Sequence, residues 1–272
     1  MKYKNRFDLS GKVVLITGGA GLLGAQYTYG LLECGARVVV ADINGVRAEQ
    51  VAGRRKGVEC LPIQVDVSNP ASVKKMVQST LEMFGKIDSL VNNAAIDPKF
   101  DQENQPTCSG EFETYPLNLW NHSIAVDLTG MFLCTQAVAP TMLKQGSGTV
   151  INISSMYGMV GPDQRLYKSE KSTSEARYKP VVYSVTKCAT YGFTRYLSAY
   201  WAGKGIRVNS LTLGGVFNKH DDEFVERYNW RTPLGRMAQK DEYCGALIFL
   251  LSEASSYMTG SNLVVDGGWT SW

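Results

Sequence analysis

Short apolar runs alternate with helix-length amphipathic segments along nearly the whole chain, and this rhythm constrains the fold more than any other feature. The runs are Val13–Thr17, Arg37–Asp42, Glu59–Gln64, Ser89–Asn92, Thr149–Ser154, Ile206–Leu211 and Asn262–Val265. They are continuously apolar rather than alternating, as strands buried on both faces require. Helical patterns fall between them, near Leu22–Cys34, Gly45–Lys56, Ala71–Phe84, Leu119–Leu143, Val182–Trp201 and Gln239–Leu251. Strand–helix alternation predicts an α/β chain with a doubly wound, parallel, seven-stranded sheet and helices on both faces. The 272 residues hold no internal repeat, low-complexity tract or Pro/Gly-rich linker, so a single domain over 1–272 is expected. Polar stretches at about 97–116, 161–180 and 216–232 break the rhythm. Loops of such length inside a compact domain are functional or disordered.

Composition excludes several classes. The net charge is +3 with no long basic run, which leaves no electrostatic footprint for nucleic acid. No apolar stretch approaches the ~18–20 residues of a membrane helix, and the N-terminus is polar, so a cytoplasmic chain without membrane contact is expected. Six cysteines are scattered without a Cys-x-x-Cys, and there are two histidines. That argues against a zinc site and a disulfide framework, and no metal is expected.

Lys12-Val-Val-Leu-Ile-Thr-Gly-Gly-Ala-Gly-Leu-Leu-Gly24 reads as a strand, a glycine-rich turn and a helix start. Gly18, Gly21 and Gly24 let the backbone turn tightly and let a pyrophosphate approach, while the helix start, with Leu22 and Leu23, offers free N–H groups. Asp42 ends the next strand, where a carboxylate accepts from both adenosine ribose hydroxyls and repels a 2′-phosphate. Its neighbour Ile43 supplies no cation, so NAD is favoured over NADP. Asp42 also suits a helix N-cap before Gly45. Asp66-Val67 follows the third strand, where an adenine edge is within reach. Asn92-Asn93-Ala94-Ala95 follows the fourth, where small residues admit a cofactor. Turn chemistry alone explains either pair equally well.

Tyr183 and Lys187 lie four positions apart, on one face of a helix. A cation beside a phenol favours the phenolate and lowers its pKa from about 10, making Tyr183 a general acid/base near neutral pH. Ser155 is placed to hold a substrate oxygen. Taken alone, the pair is equally a Tyr and a Lys on an amphipathic helix.

Together these residues resemble the short-chain dehydrogenase/reductase family across essentially the whole chain. The matches are Thr17-Gly18, Asp42, Asp66-Val67, Asn92-Asn93-Ala94, Asn152-Ile153-Ser154-Ser155, Tyr183-x-x-x-Lys187, Ile206-Arg207-Val208-Asn209, Pro233-Leu234-Gly235-Arg236 and Val265-Asp266-Gly267-Gly268-Trp269. The resemblance implies a Rossmann fold, an NAD(P)-dependent oxidoreductase, and a tetramer or dimer. It assigns Ser155, rather than Ser154, as the catalytic serine, Tyr183 as proton donor or acceptor, and Lys187 as the ligand of the nicotinamide ribose. Gly214, Val216 and Asn218 fall where the family contacts the cofactor, although Leu213-Gly214 replaces its Pro-Gly and Asn218 a common Thr. Leu22 stands at the middle position of the family's glycine spacing.

Asp127 falls where the family carries a catalytic asparagine. It preserves a water relay through its main-chain carbonyl, or pairs with Lys187 and offsets that lysine's effect on Tyr183, or is a capping or solvent-facing Asp. Ser155 and Tyr183 are 28 positions apart, about twice the usual family separation, so 161–180 must loop out. The glycine turn, that insertion and the C-terminal tail are most similar to family oxidoreductases of surface-polysaccharide and flagellin-glycosylation clusters.

The expected reaction interconverts a secondary alcohol and a ketone. The expected substrate is a sugar, sugar phosphate, sugar nucleotide or polyol, with Arg165, Lys168 and Lys171 available to a phosphate. A 3-oxoacyl-type reductase, and a non-catalytic NAD-sensing or scaffold protein, are the competing readings. Trp269 and Trp272 near the C-terminus mark a subunit interface, or fold back on their own subunit.

Overall fold

A computed structural model describes residues 3–54, 59–97, 110–167 and 178–272. The strands are β1 (Val13–Thr17), β2 (Arg37–Asp42), β3 (Cys60–Gln64), β4 (Ser89–Asn92), β5 (Gly148–Ser155), β6 (Ile206–Leu213) and β7 (Asn262–Val265). All pair in parallel, in the order β3-β2-β1-β4-β5-β6-β7. The chain therefore winds outward from β1 to β3, returns, and winds the other way from β4 to β7. Such a reversal opens a crevice beyond the carboxyl ends of β1 and β4.

The expected doubly wound sheet is observed, and its core explains the strand composition. Val38 and Val40 of β2 enter one apolar cluster and Val39 and Ala41 the other. Successive side chains of a strand point to opposite faces, so a strand covered on both sides favours continuous apolar runs such as Val38–Ala41. Strands β5 and β6 also bury Asn152, Asn209, Ser210 and Thr212 as hydrogen-bonded groups. Each fully buried Val or Leu contributes about 1.5–3 kcal/mol relative to exposure.

The helices are α1 (Leu22–Glu33), α2 (Gly45–Gly53), α3 (Pro70–Phe84), α4 (Leu117–Ser123), α5 (Gly130–Gln145), α6 (Val181–Tyr200), α7 (Asp222–Arg231) and α8 (Cys244–Leu251). Their ends follow local chemistry. Asn69 caps α3 by accepting from Ala71 and Ser72 N–H groups, Pro70 occupies its first turn, and Gly85 closes it at φ 73°.

Several expectations change. The cap of α2 is Asn44, which accepts from Arg47 N at 3.0 Å, and not Asp42. The polar stretch 216–232 contains α7, capped by Asp221 through Phe224 N at 2.9 Å. The single helix expected over Leu119–Leu143 is α4 and α5 joined by a π-helical turn at Ile124–Thr129. An 18-residue window of this Leu117–Gln145 run reaches a mean hydropathy of 1.2 and is 33% buried, so by length and composition one helix does match a membrane span. Its inward side supplies Cys134, Val138 and Met142 to the core, while Phe132 and Leu143 add apolar residues outside.

Trp269 is 1% exposed and folds back on its own subunit, whereas Trp272 is 74% exposed. The expected helical residues Arg55 and Lys56, most of 97–116, and half of 161–180 including Lys168 and Lys171, lie outside the described residues.

Candidate active site

A cleft of ≈720 Å³ occupies the crevice. Gly18, Gly21, Leu22, Leu23, Asp42, Ile43, Asp66, Val67, Asn93, Ala94, Gly214, Val216 and Asn218 line it, with Ser155, Tyr183 and Lys187 at its other end. Two expected site residues lie off this lining. Gly24 is a packing glycine: a Cβ there would stand 2.1 Å from the Gly18 carbonyl oxygen. Asp127 lies beneath the floor.

The glycine end is made of backbone. Gly18 adopts φ +62°, and a Cβ there would lie 2.9 Å from Ala94 Cα. Gly21 caps α1 without offering it a side chain, so the first-turn N–H groups lack a side-chain acceptor. A cradle that Cβ atoms would fill, backed by a bare helix start, fits a pyrophosphate. Thr17 Oγ1 accepts from the N–H groups of Asn93 and Ala94, both at 3.1 Å. Asn93 Nδ2 donates to the carbonyls of Thr17 and Gly18 at 3.1 and 3.0 Å, so its side chain braces the turn. Asp42 accepts from Ala20 N at 2.9 Å and Asn44 N at 3.0 Å. A carboxylate offers about four lone pairs, so sites remain for ribose hydroxyls. Asp66 accepts from Ser68 N at 2.9 Å and Ser68 Oγ at 2.6 Å, the turn chemistry weighed from sequence, while still facing the cleft.

At the other end, Ser155 closes β5 and Tyr183 stands in the first turn of α6. The Ser155 hydroxyl beside the phenol favours the phenolate. Burial outweighs that influence, and the Asp97 carboxylate also opposes ionisation, so the phenol is held well above its usual range. The expectation that Lys187 lowers it is thus not met. Lys187 Nζ lies 5.7 Å from the Tyr183 ring centre and 3.4 Å from the Ile153 carbonyl, and burial depresses its own pKa. Ser154 donates to the Lys187 carbonyl at 2.8 Å and so anchors α6 to β5, which leaves Ser155 to face Tyr183.

Asp127 is neither solvent-facing nor a helix cap. It sits in the π turn, accepting from Ile96 N at 2.7 Å and from Thr186 Oγ1 at 3.0 Å. Burial raises its pKa, and the Lys187 ammonium pulls the other way. Asp127, Lys187, Thr186 and Asn92 border a hole of ≈10 Å³, about the space of one water.

Several cleft residues escaped sequence reasoning. Met156, Tyr157, His220, Phe224 and Tyr228 form an aromatic-rich wall. Trp269 supports it from behind, 4.4 Å from Tyr228 and 6.4 Å from Tyr157 between ring centres. The spacing of Phe217, His220, Phe224 and Tyr228 is helical, and Asp221 followed by acidic residues is an N-cap signal, so α7 was detectable. The pairing of Asp97 with Lys179 carries no local signal. Arg165, expected to meet a phosphate, is instead held by Asp163 at 2.8 and 2.7 Å and lies outside the cleft lining.

Comparison with known proteins agrees with this fold. A family profile described as enoyl-(acyl carrier protein) reductase matches residues 21–270. A D-threitol dehydrogenase of Mycolicibacterium smegmatis is 32% identical over 276 residues, covering 97% of this chain and 95% of that protein. A gluconate 5-dehydrogenase from Burkholderia cenocepacia, solved with NADP and tartrate, superposes with a TM-score of 0.83 at 34% identity, covering 98% of each chain. A short-chain dehydrogenase from Leptospira borgpetersenii with bound NAD+ does so with a TM-score of 0.83 at 33% identity, covering 97% of this chain and 94% of that one.

Proposed function

The chain belongs to the short-chain dehydrogenase/reductase family, enzymes that act on CH–OH groups with a nicotinamide dinucleotide, and from that premise we propose an NAD-dependent oxidoreductase that interconverts a polyhydroxylated secondary alcohol and its ketone. One observation carries the reading: Ser155 and Tyr183, with Lys187 buried beside them, line the same cleft as the glycine turn. One domain supplies both ends.

The dinucleotide, when bound, supplies the hydride acceptor or donor. Gly18, Gly21 and the start of α1 hold its phosphates, and Asp42 its adenosine ribose. Asp42 favours NAD, since a 2′-phosphate would meet a carboxylate. Ser155 donates a hydrogen bond to the substrate oxygen. Tyr183 takes the proton from the alcohol or returns it to the ketone oxygen. Lys187 holds positive charge under the phenolate as it forms. The water-sized hole bordered by Lys187 and Asp127 is the route by which that proton reaches solvent. A dehydrogenase of D-threitol and one of gluconate among the relatives support a polyhydroxylated substrate. The assembled triad argues against a protein that binds NAD without turnover.

The protein acts in the cytoplasm as a homotetramer or homodimer. Stacked Tyr196 and Tyr200, 63% and 66% exposed, support assembly through α6. The decisive test is Tyr183→Phe. Loss of a positioned acid/base lowers turnover by about 10²–10⁴-fold, with NADH binding retained. Survival of most activity would refute the assignment.

A further inference from the structure

Two charged side chains at the tyrosine end take no part in the proton path above. Asp97 follows β4 and Lys179 stands just before α6, yet they form an ion pair in the cleft wall. The Lys179 side chain is 11% exposed and that of Asp97 46%. Gln164 fixes the lysine from behind. Its amide oxygen accepts from Lys179 N at 2.8 Å, and its amide nitrogen donates to the Lys179 carbonyl at 3.2 Å. The ammonium rests over the Tyr183 ring, 4.0 Å from its centre, an attractive placement for a cation.

The chemistry of the pair selects what it can meet. An ammonium only donates and a carboxylate only accepts. Side by side they match a group that does both, and a hydroxyl is such a group. A carboxylate or phosphate only accepts, and would meet the Asp97 charge beside the cation it sought. A plain alkyl carbon satisfies neither. Because the ammonium lies over the ring, the hydroxyl it meets is a neighbour of the reacting one. The wall of Tyr157, Phe224 and Tyr228 offers apolar surface to the C–H groups of such a molecule.

We propose that Asp97 and Lys179 bind a second hydroxyl on the carbon beside the reacting carbon, so that the site selects vicinal diols and polyols over simple secondary alcohols and hydroxy acids. The assignment rests on the alcohol–ketone reading of the cleft. Asp97 accepts from that hydroxyl and Lys179 donates to it, which fixes which end of a polyol enters.

The test measures kcat/KM with NAD for threitol, sec-butanol and α-hydroxybutyrate. The unaltered protein is compared with Asp97→Asn and Lys179→Gln, and NADH fluorescence titration checks that each variant still binds cofactor. Each substitution should lower kcat/KM for threitol by about 10–100-fold relative to sec-butanol, mainly through KM, the loss expected for a hydrogen bond to a charged group. Equal losses on threitol and sec-butanol would mean that the pair acts on Tyr183, and would overturn the proposal. A gain on α-hydroxybutyrate in Asp97→Asn with threitol unaffected would make Lys179 an anion site, and would overturn it as well. If the unaltered protein binds NADH but oxidises no secondary alcohol in a wider panel, the alcohol–ketone reading itself fails.

Discussion

The two ends of the cleft are made of different material. The glycine end is backbone: Gly18, Gly21 and the start of α1 come from one continuous stretch, braced by Thr17 and Asn93. The tyrosine end is side chain, assembled from β5, α6, α7 and the segment after β7. A phosphate is met by N–H groups that every residue carries, so what matters there is the absence of side chains. An alcohol must be oriented by hydroxyls, an ammonium and rings, and these come from distant parts of the chain. The contrast teaches that one end depends on close approach and the other on long-range packing.

Three substitutions probe that contrast. Trp269→Ala should be the most damaging, because it removes a fully buried indole that supports Tyr157 and Tyr228. A loss of about 3–5 kcal/mol in chemical denaturation is expected for such a truncation. Turnover should fall while the glycine end still binds NADH. Equal weakening of NADH binding would show the two ends to be one cooperative unit.

Gly24→Ala reverses the experiment. The added methyl would overlap the Gly18 carbonyl, and overpacking of this kind costs about 1–3 kcal/mol. NADH affinity should fall more than the rate at saturating cofactor. A variant that binds NADH normally would mean that the turn tolerates displacement, against the close-approach argument.

Asp127→Asn should have the smallest effect. Burial holds this carboxyl above its ordinary range, so the folded chain binds the proton more tightly than the unfolded one. The resulting stability is present below the ordinary carboxylate pKa and is lost as pH rises through the raised value. Asparagine keeps an acceptor for Ile96 and a partner for Thr186, so melting at neutral pH should rise by a few degrees at most. The gain should vanish below about pH 4. Asp127 is also one of the carboxylates opposing ionisation of Tyr183, so the acid limb of alcohol oxidation should shift to lower pH. A loss of turnover at every pH would place the carboxyl itself, rather than the main chain, in the proton path.

The same contrast explains what could be read in advance. The sheet was legible because parallel strands buried on both faces favour apolar runs, such as Val13–Ile16 and Val38–Ala41, over alternation. The glycine end was legible because a turn, a helix start and an acidic strand end fall in order along the chain. Tyr183 and Lys187 were legible as one helical turn. Asp97 and Lys179 were not, since 82 positions separate them and nothing local marks either. The tyrosine's ionisation was misjudged because burial and carboxylates elsewhere in the fold outweigh the one cation visible in the pattern. Trp269 was ambiguous because only the packed structure says what covers an indole.

The position of Trp269 also sets an order of assembly. Chains emerge from the ribosome N-terminus first, at about 5–20 residues per second. The stretch through β4 holds the glycine turn and its braces, so those residues are made early, although α1 packs on α8 and needs it for its core face. The aromatic wall lacks its support until residue 269 has been made and β7 has paired with β6. A chain cut before β7 would thus keep every residue of the glycine turn while lacking the indole that backs its aromatic wall.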